Sequence, residues 1–150
     1  MLFRSTNPVQ VSSDARDWLL ASASTFLPFL FLPGGSVLVP GAALLVMGGA
    51  LVQLAGMLSL NRSLGMVPAL RVLKTGGPYR LVRHPLYASY VITFSGYLLT
   101  NASLRNLLVY VLSMALLALR SMREEVLLAG QSDYRAYMAR VKYRILPFVF

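Results

Sequence analysis

Cysteine is absent from this chain of 150 residues, and acidic residues are few, with five Asp and Glu against 14 Lys and Arg. The lack of cysteine excludes disulfides, thiolate metal ligands and cysteine nucleophiles. Histidine occurs once, at position 84, so no triad or metal cluster can be assembled around it. We therefore expect neither hydrolase chemistry nor a metal site. No strand followed by a G-x-G-x-x-G run is present either, which excludes a Rossmann-type cofactor site.

Hydrophobic residues make up 57% of the chain and charged residues only 13%, with a mean hydropathy of +0.64. This composition lies outside the usual soluble range and predicts an all-α polytopic membrane protein with a single domain over residues 1–150. The first and third predicted spans are short for a bilayer core about 30 Å thick. The four predicted spans are residues 18–32, 36–60, 86–103 and 105–122.

The basic residues are distributed unequally between the two sides of this topology. Four spans would place the N-terminus, the connection 61–85 and the C-terminal tail on one side, which then carries every Lys and Arg except Arg105. The positive-inside rule makes that side cytoplasmic. Topology and anionic lipid headgroups also account for the net charge of +9, so we expect membrane lipids and no nucleic acid as partners. The oligomeric state is left open.

Small residues recur every seven positions in the second predicted span, in two neighbouring stripes. One stripe contains Gly41 and Gly48, and the other contains Ala42, Gly49 and Gly56. Such stripes let neighbouring helices approach closely, so we interpret them as helix-packing surfaces.

The connection between the second and third predicted spans is rich in Pro, Gly and basic residues. Irregular backbone at membrane depth requires a polar cavity or a protein cover, so this segment is expected to line a site. At its end, Pro85 suits the first turn of a helix and would leave His84 at the N-cap. The N–H groups of that turn would then face an anion. A merely structural capping role for His84 is the alternative.

Arg120 and Glu124 lie four residues apart at the end of the fourth predicted span, on one helical face. Because Glu before Arg is the better order for helix stability, the reversed order leaves ligand binding as one explanation. The alternative is a snorkelling arginine beside a solvated glutamate.

A C-terminal helix is predicted to begin at Ser132 and Asp133. Apolar and aromatic residues then recur at helical spacing between basic ones, which is typical of an amphipathic helix at a membrane interface. We interpret its role as membrane adhesion rather than catalysis. The recurring residues are Tyr134, Tyr137, Met138 and Val141.

Taken in order, several short motifs resemble the membrane methyltransferases that include isoprenylcysteine carboxyl methyltransferase and the phospholipid N-methyltransferases. The resemblance covers roughly residues 60–147 and rests on the ordered set rather than on any one motif. The motifs are Thr75-Gly76-Gly77-Pro78-Tyr79, Arg83-His84-Pro85-Leu86-Tyr87, Arg120 with Glu124-Glu125, and Tyr134, Tyr137, Val141 and Pro147.

The resemblance implies an S-adenosylmethionine site in a catalytic half at about residues 61–147, preceded by N-terminal spans at about 18–60. The site would open to the cytoplasm for the cofactor and to the bilayer for a lipophilic acceptor. By similarity, Glu124 would bind the cofactor ammonium and Arg120 would orient the acceptor, with His84 as a second catalytic candidate. The remaining cofactor-binding residues implied are Arg71, Val72, Leu73, Lys74, Tyr79, Arg83, His84, Pro85 and Leu86.

Several functional alternatives remain open on the sequence. A carboxylate acceptor of the isoprenylcysteine type needs no strong base, whereas a phospholipid amine must first lose a proton, for which His84 or a glutamate could act as base. The chain also resembles NADPH-dependent sterol reductases at Arg-His-Pro-x-Tyr, although Leu86 stands where those enzymes typically have Asn. A non-catalytic accessory protein is a further alternative. Tyr79 and Tyr87 could instead belong to an interfacial aromatic belt.

Overall fold

The computed structural model describes residues 10–11, 14–60, 69–70 and 73–149, and the described part is mainly helical. Two-residue strands pair antiparallel, with Gln10 opposite Leu70 and Val11 opposite Ala69. The elements in chain order are β1 Gln10–Val11, α1 Ala15–Phe26, a 3₁₀ turn Leu27–Leu30, α2 Ala43–Leu60, β2 Ala69–Leu70, a 3₁₀ turn Gly77–Arg80, α3 Pro85–Thr100, α4 Leu104–Leu128 and α5 Ser132–Arg140.

Helices α1 and α4 run antiparallel to each other. Asp17, near the start of α1, accepts a 2.8 Å bond from Nε of Arg123, near the end of α4. Ser24 further along α1 contacts Arg120, and Leu32 beyond α1 contacts Asn106 near the start of α4. The start of α1 and the end of α4 therefore lie at one end of the bundle.

Small residues allow α2 and α3 to pack closely. A methyl group added at Gly49 would collide with Thr93 Oγ1 and lie 2.9 Å from the carbonyl oxygen of Ser89. Gly56 and Ala42 lie on the same stripe and are buried. A methyl group at Gly48 would meet nothing within 4 Å. Of the two predicted stripes, the one through Gly49 is the packing surface.

Asn106 closes the end of the bundle where α1 and α3 finish. Its fully buried side chain accepts from the backbone N–H of Leu32 at 3.1 Å. It also donates to the carbonyl oxygens of Leu32 at 2.8 Å and Asn101 at 2.6 Å. Beside it, Ser36 and Ala102 exchange two backbone hydrogen bonds of 2.9 and 2.8 Å. The turns that contain Ser36 and Ala102 thus lie together, and we call this region, with Asn106, the closed end.

The four predicted spans are only partly matched by the helices. Among the described residues, α2 and α4 are long and apolar enough to cross a membrane. Only 11% of the apolar window of α2 is buried, so this helix presents its apolar side chains outward, as a lipid-facing helix does. With 12 and 16 residues, α1 and α3 are shorter than a bilayer requires, so four spans are not confirmed.

Two predicted boundaries also differ from the structure. Helix α2 begins at Ala43 rather than near residue 36, because Pro40 and Gly41 lie in a turn that hydropathy alone does not reveal. Helix α4 continues to Leu128, six residues beyond the predicted end, since its charged residues have protein partners rather than requiring solvent.

The apolar face of α5 was predicted to adhere to the membrane, and this prediction is wrong. The helix begins at Ser132 as expected. However, Tyr134 and Tyr137 are 3% and 2% exposed and, together with Val141, form a buried cluster. Leu73, Leu128 and Met138 pack against that cluster. The face of α5 that was predicted to contact lipid therefore contacts protein.

Candidate active site

The segment before α3 forms a tight turn that ends at the predicted cap. Gly77 adopts a left-handed conformation with φ of +57°, which favours glycine, and it opens the 3₁₀ turn to Arg80. His84 then stands at the N-cap of α3 with Pro85 at the first helical position, as predicted. Both side chains are buried. The first turn of α3 therefore directs its N–H groups toward this end of the bundle. We call it the charged end, because Arg83, His84, Glu124 and Glu125 lie there.

Glu125 is the centre of the charged end. Its carboxylate is 4% exposed and accepts a hydrogen bond of 2.7 Å from Arg83 Nε and a second of 3.2 Å from Arg83 Nη2. Nε2 of His84 lies 3.0 Å from Oε1, and Nη2 of Arg144 lies 2.8 Å from Oε2. Such a bidentate, charge-assisted arrangement joins α4, the segment before α3 and the C-terminal tail at one carboxylate.

The C-terminal tail, residues 141–146, runs back along the segment before α3. The backbone N–H of Arg83 donates to the carbonyl oxygen of Tyr143 at 3.0 Å, and that of His84 donates to Arg144 at 2.8 Å. Nη1 of Arg83 also donates to the carbonyl oxygens of Val141 and Lys142, at 3.0 and 2.9 Å. Ile145, 5% exposed, joins a core cluster that includes Tyr87. The tail thus fixes the position of His84.

A line of side chains connects His84 to Arg120 through Tyr87. The rings of His84 and Tyr87 stack with centroids 5.2 Å apart, and the Tyr87 hydroxyl donates to Oε2 of Glu124 at 2.7 Å. Nδ1 of His84 lies 4.0 Å from the same oxygen. The guanidinium of Arg120 lies over the Tyr87 ring, 5.5 Å from its centroid. Tyr87 therefore contacts both the positive charge of Arg120 and the negative charge of Glu124.

Three tyrosines beside this line remain protonated over the physiological range. Burial raises the pKa of Tyr137 to about 12. Burial, reinforced by Glu124, also raises the pKa of Tyr79 far above its ordinary value, and burial with Glu125 and Glu124 does the same for Tyr134. As a neutral donor, the Tyr137 hydroxyl bonds the carbonyl oxygen of Tyr79 at 2.7 Å. This bond connects α5 to the turn before α3.

The structure brings some of the predicted site residues together and separates others. Arg83, His84 and Glu124 meet at the charged end, with Arg120 beyond Tyr87. Tyr79 and Tyr87 are each 8% exposed, so the interfacial-belt interpretation of both is wrong. The other predicted residues lie elsewhere: Pro85 is buried at the start of α3, Leu86 packs over Gly56 of α2, Leu73 packs beside Tyr134, Lys74 is exposed, and Arg71 and Val72 lie outside the described residues.

Four residues at the charged end carry contacts that the sequence interpretation did not assign. Glu125 appeared only as a member of a motif, Tyr87 as a motif member or an interfacial-belt residue, and Tyr134 was assigned to membrane adhesion. Arg144 was not considered for the site. The one sequence signal that pointed to Glu125 is its position beside Glu124 just after an apolar run, where a second acid needs a partner.

A sequence model of the phospholipid methyltransferase family matches residues 37–131, which is more than half of the chain. The chain belongs to this family. The resemblance predicted from the motifs is thereby confirmed, and family membership implies methyltransferase activity. The matched region includes His84, Arg120 and Glu124 but ends before α5 and Arg144. Together with the two apolar helices, it supports association with a membrane. No curated protein matches the chain.

Proposed function

We propose that the chain transfers a methyl group from S-adenosylmethionine to the carboxylate of a lipophilic, isoprenylcysteine-like acceptor at the cytoplasmic face of a membrane. The observation that carries this proposal is the line from Glu124 through Tyr87 to Arg120, which lies within the region matched by the family. On this line, Glu124 is an acid suited to the ammonium of the cofactor, and Arg120 is a cation suited to an anionic acceptor.

The residues at the charged end fit the cofactor. Its amino-acid end presents an ammonium and a carboxylate. Glu124 is 27% exposed and accepts a hydrogen bond from Tyr87, which leaves lone pairs on the carboxylate for an ammonium. The N–H groups of the first turn of α3 suit the carboxylate. Arg83 was predicted to bind that carboxylate directly, but its contacts with Glu125 and the tail support a positioning role instead.

Methyl transfer to a carboxylate mainly requires alignment. When bound, the sulfonium supplies the methyl group, because an acceptor lone pair forms the new bond as the carbon–sulfur bond breaks and the thioether leaves. The acceptor is already ionised at neutral pH, so the protein has no proton to remove. Arg120 is 9% exposed and held by Ser24 Oγ at 3.0 Å. It is therefore rigid enough to orient a carboxylate with paired hydrogen bonds.

A phospholipid amine is the second candidate acceptor, and the surroundings of His84 favour it. The imidazole lies between two carboxylates, 3.0 Å from Glu125 and 4.0 Å from Glu124. In this position the imidazole would act as the base that accepts the proton released by the amine. The family match is consistent with either acceptor, and it favours methyl transfer over the reductase and accessory alternatives.

The membrane would deliver the acceptor sideways from lipid. Helix α2 exposes apolar side chains, and Arg120 lies within the long apolar helix α4. The charged end is also the basic end, so we propose that it faces the cytoplasm, where the soluble cofactor is available.

Calorimetric titration of the detergent-purified protein with S-adenosylhomocysteine, and separately with NADPH, tests the cofactor. We expect saturable binding of S-adenosylhomocysteine only, weakened about tenfold or more by Glu124→Gln, because a charge-assisted hydrogen bond is lost. Asp133→Asn, which removes an exposed acid at the start of α5, is the matched control and should leave the affinity unchanged. A folded protein that binds NADPH instead would exclude the proposal.

Transfer of radiolabelled methyl groups to defined acceptors tests the acceptor class. With a prenylcysteine carboxylate, Arg120→Ala should retain cofactor affinity and lower the transfer rate by about a hundredfold, while His84→Gln should have the smaller effect. Transfer to phosphatidylethanolamine alone, with the larger loss in His84→Gln, would replace the carboxylate proposal with the amine one.

A further inference from the structure

The hydroxyl of Tyr134 is buried but has no hydrogen-bond partner among residues 14–60 and 73–149. The residue is 3% exposed. Its neighbour on the same helical face, Tyr137, is buried to the same degree, yet its hydroxyl donates to the carbonyl oxygen of Tyr79. The two buried tyrosines therefore differ in hydrogen bonding, because the described part of the protein supplies an acceptor for the hydroxyl of Tyr137 but none for that of Tyr134.

Buried hydroxyls without partners are unfavourable and uncommon in native proteins. When such a hydroxyl lies beside a binding site, a bound ligand can explain it, because the ligand would supply the missing hydrogen-bond partner. Phenylalanine would fill the same volume without the unpaired group. The presence of tyrosine at position 134 therefore requires a reason beyond packing.

The position of Tyr134 indicates which ligand that is. Its ring contacts that of Tyr137 at 5.8 Å between centroids, and Leu73 packs against the same cluster. Leu73 belongs to the segment 71–74 predicted to line the cofactor pocket. Through Tyr137, whose hydroxyl bonds the carbonyl oxygen of Tyr79, the same cluster adjoins the turn before α3. Tyr134 thus lies close to two parts of the predicted cofactor pocket, Leu73 and the turn that contains Tyr79.

We infer that the Tyr134 hydroxyl donates a hydrogen bond to the amino-acid carboxylate of bound S-adenosylmethionine. This inference rests on the proposed function. Burial, reinforced by Glu125 and Glu124, raises the pKa of the Tyr134 hydroxyl, so it stays protonated and serves as a donor. The cofactor offers its carboxylate one carbon from the ammonium assigned to Glu124, which brings an acceptor to the same region. Tyr134 is therefore a binding residue.

The matched variants Tyr134→Phe and Tyr137→Phe test the inference with two measurements, the thermal unfolding midpoint of the ligand-free protein and the Kd for S-adenosylhomocysteine. Tyr134→Phe should leave the midpoint unchanged or higher, because no internal bond is lost, and should raise the Kd about fivefold to tenfold. Tyr137→Phe should lower the midpoint, because it breaks the bond to Tyr79.

A truncated ligand localises the contact. 5′-Methylthioadenosine lacks the amino-acid end, so Tyr134→Phe should change its Kd by less than about twofold. Equal weakening of both ligands, unchanged S-adenosylhomocysteine affinity, or a lower unfolding midpoint in Tyr134→Phe would each overturn the inference while leaving the proposed function intact. Failure of the wild-type protein to bind S-adenosylhomocysteine would overturn both.

Discussion

The two ends of the helix bundle use polar residues in different ways. At the closed end, the Asn106 side chain bonds both backbone groups of Leu32 and the carbonyl oxygen of Asn101, and every contact is between neutral groups. At the charged end, the side chains of Arg83, His84 and Arg144 converge on Glu125. Asn106 and Glu125 are both buried, but the charged end also contains a buried hydroxyl that has no partner among the described residues, that of Tyr134.

The two ends differ in the kind of polar interaction that they bury, which is neutral hydrogen bonds at one end and ion pairs at the other. Neutral hydrogen bonds to backbone groups seal the ends of membrane helices at little electrostatic cost, since they satisfy N–H and C=O groups that lipid cannot. Buried ion pairs serve that purpose poorly, because the free-energy cost of removing both charges from water offsets much of their attraction. Their concentration at one end supports the proposal that charged ligands bind there.

The largest expected effect comes from removing the carboxylate at the centre of the charged end. Glu125→Ala leaves Arg83, whose side chain is 8% exposed, without its carboxylate, so we expect a loss of about 3–5 kcal/mol in the free energy of unfolding. Chemical denaturation in detergent measures it. Glu125→Gln retains the volume and should lose less. A free energy within about 1 kcal/mol of the wild-type value in Glu125→Ala would show that the cluster is not structurally important.

At the closed end, Asn106→Ala should destabilise the protein without affecting the site. Three partly buried backbone groups lose their partner, so we expect a loss of about 2–3 kcal/mol, measured by the same denaturation. The affinity for S-adenosylhomocysteine of the folded fraction should not change. Asn101→Ala serves as the control, since it removes an exposed contact of 3.3 Å to Gly34 and two local contacts at the end of α3, with Tyr97 and Thr100. Reduced affinity in Asn106→Ala would mean that the two ends are coupled.

Between the ends, adjacent glycines of α2 should respond differently to the same change. Gly49→Ala forces a methyl group against Thr93 and Ser89 of α3 and should lower the free energy of unfolding by about 1–2 kcal/mol. Gly48→Ala places the methyl group in open space and should be neutral or slightly stabilising. Equal effects of the two substitutions would contradict the observed α2–α3 interface.

Local signals in the sequence were sufficient for features that depend on a few neighbouring residues. His84 as the N-cap followed from Pro85, and the start of α5 followed from Ser132 and Asp133. The start of α2 was missed because residues 36–42 are as apolar as the helix, and hydropathy does not register the turn at Pro40.

The centre of the site could not be predicted because its partners are distant in sequence. Glu125 binds Arg83, 42 residues away, and Arg144, 19 residues away. No spacing rule connects such positions. Likewise, helical periodicity identified an apolar face containing Tyr134 and Tyr137, but it cannot tell whether lipid or protein covers that face. In the structure protein covers this face, so both tyrosines lie inside the protein near the site and not at the membrane surface.

The tail that runs along Arg83 and His84 also sets the order of events during synthesis. Helix α2, long and apolar enough to cross a membrane, can enter the bilayer while the ribosome is still translating, but His84 acquires its backbone partner only when Arg144 has emerged. A chain truncated before the tail would therefore lack a formed site. Methylating capacity is expected only after residues up to 146 have left the ribosome.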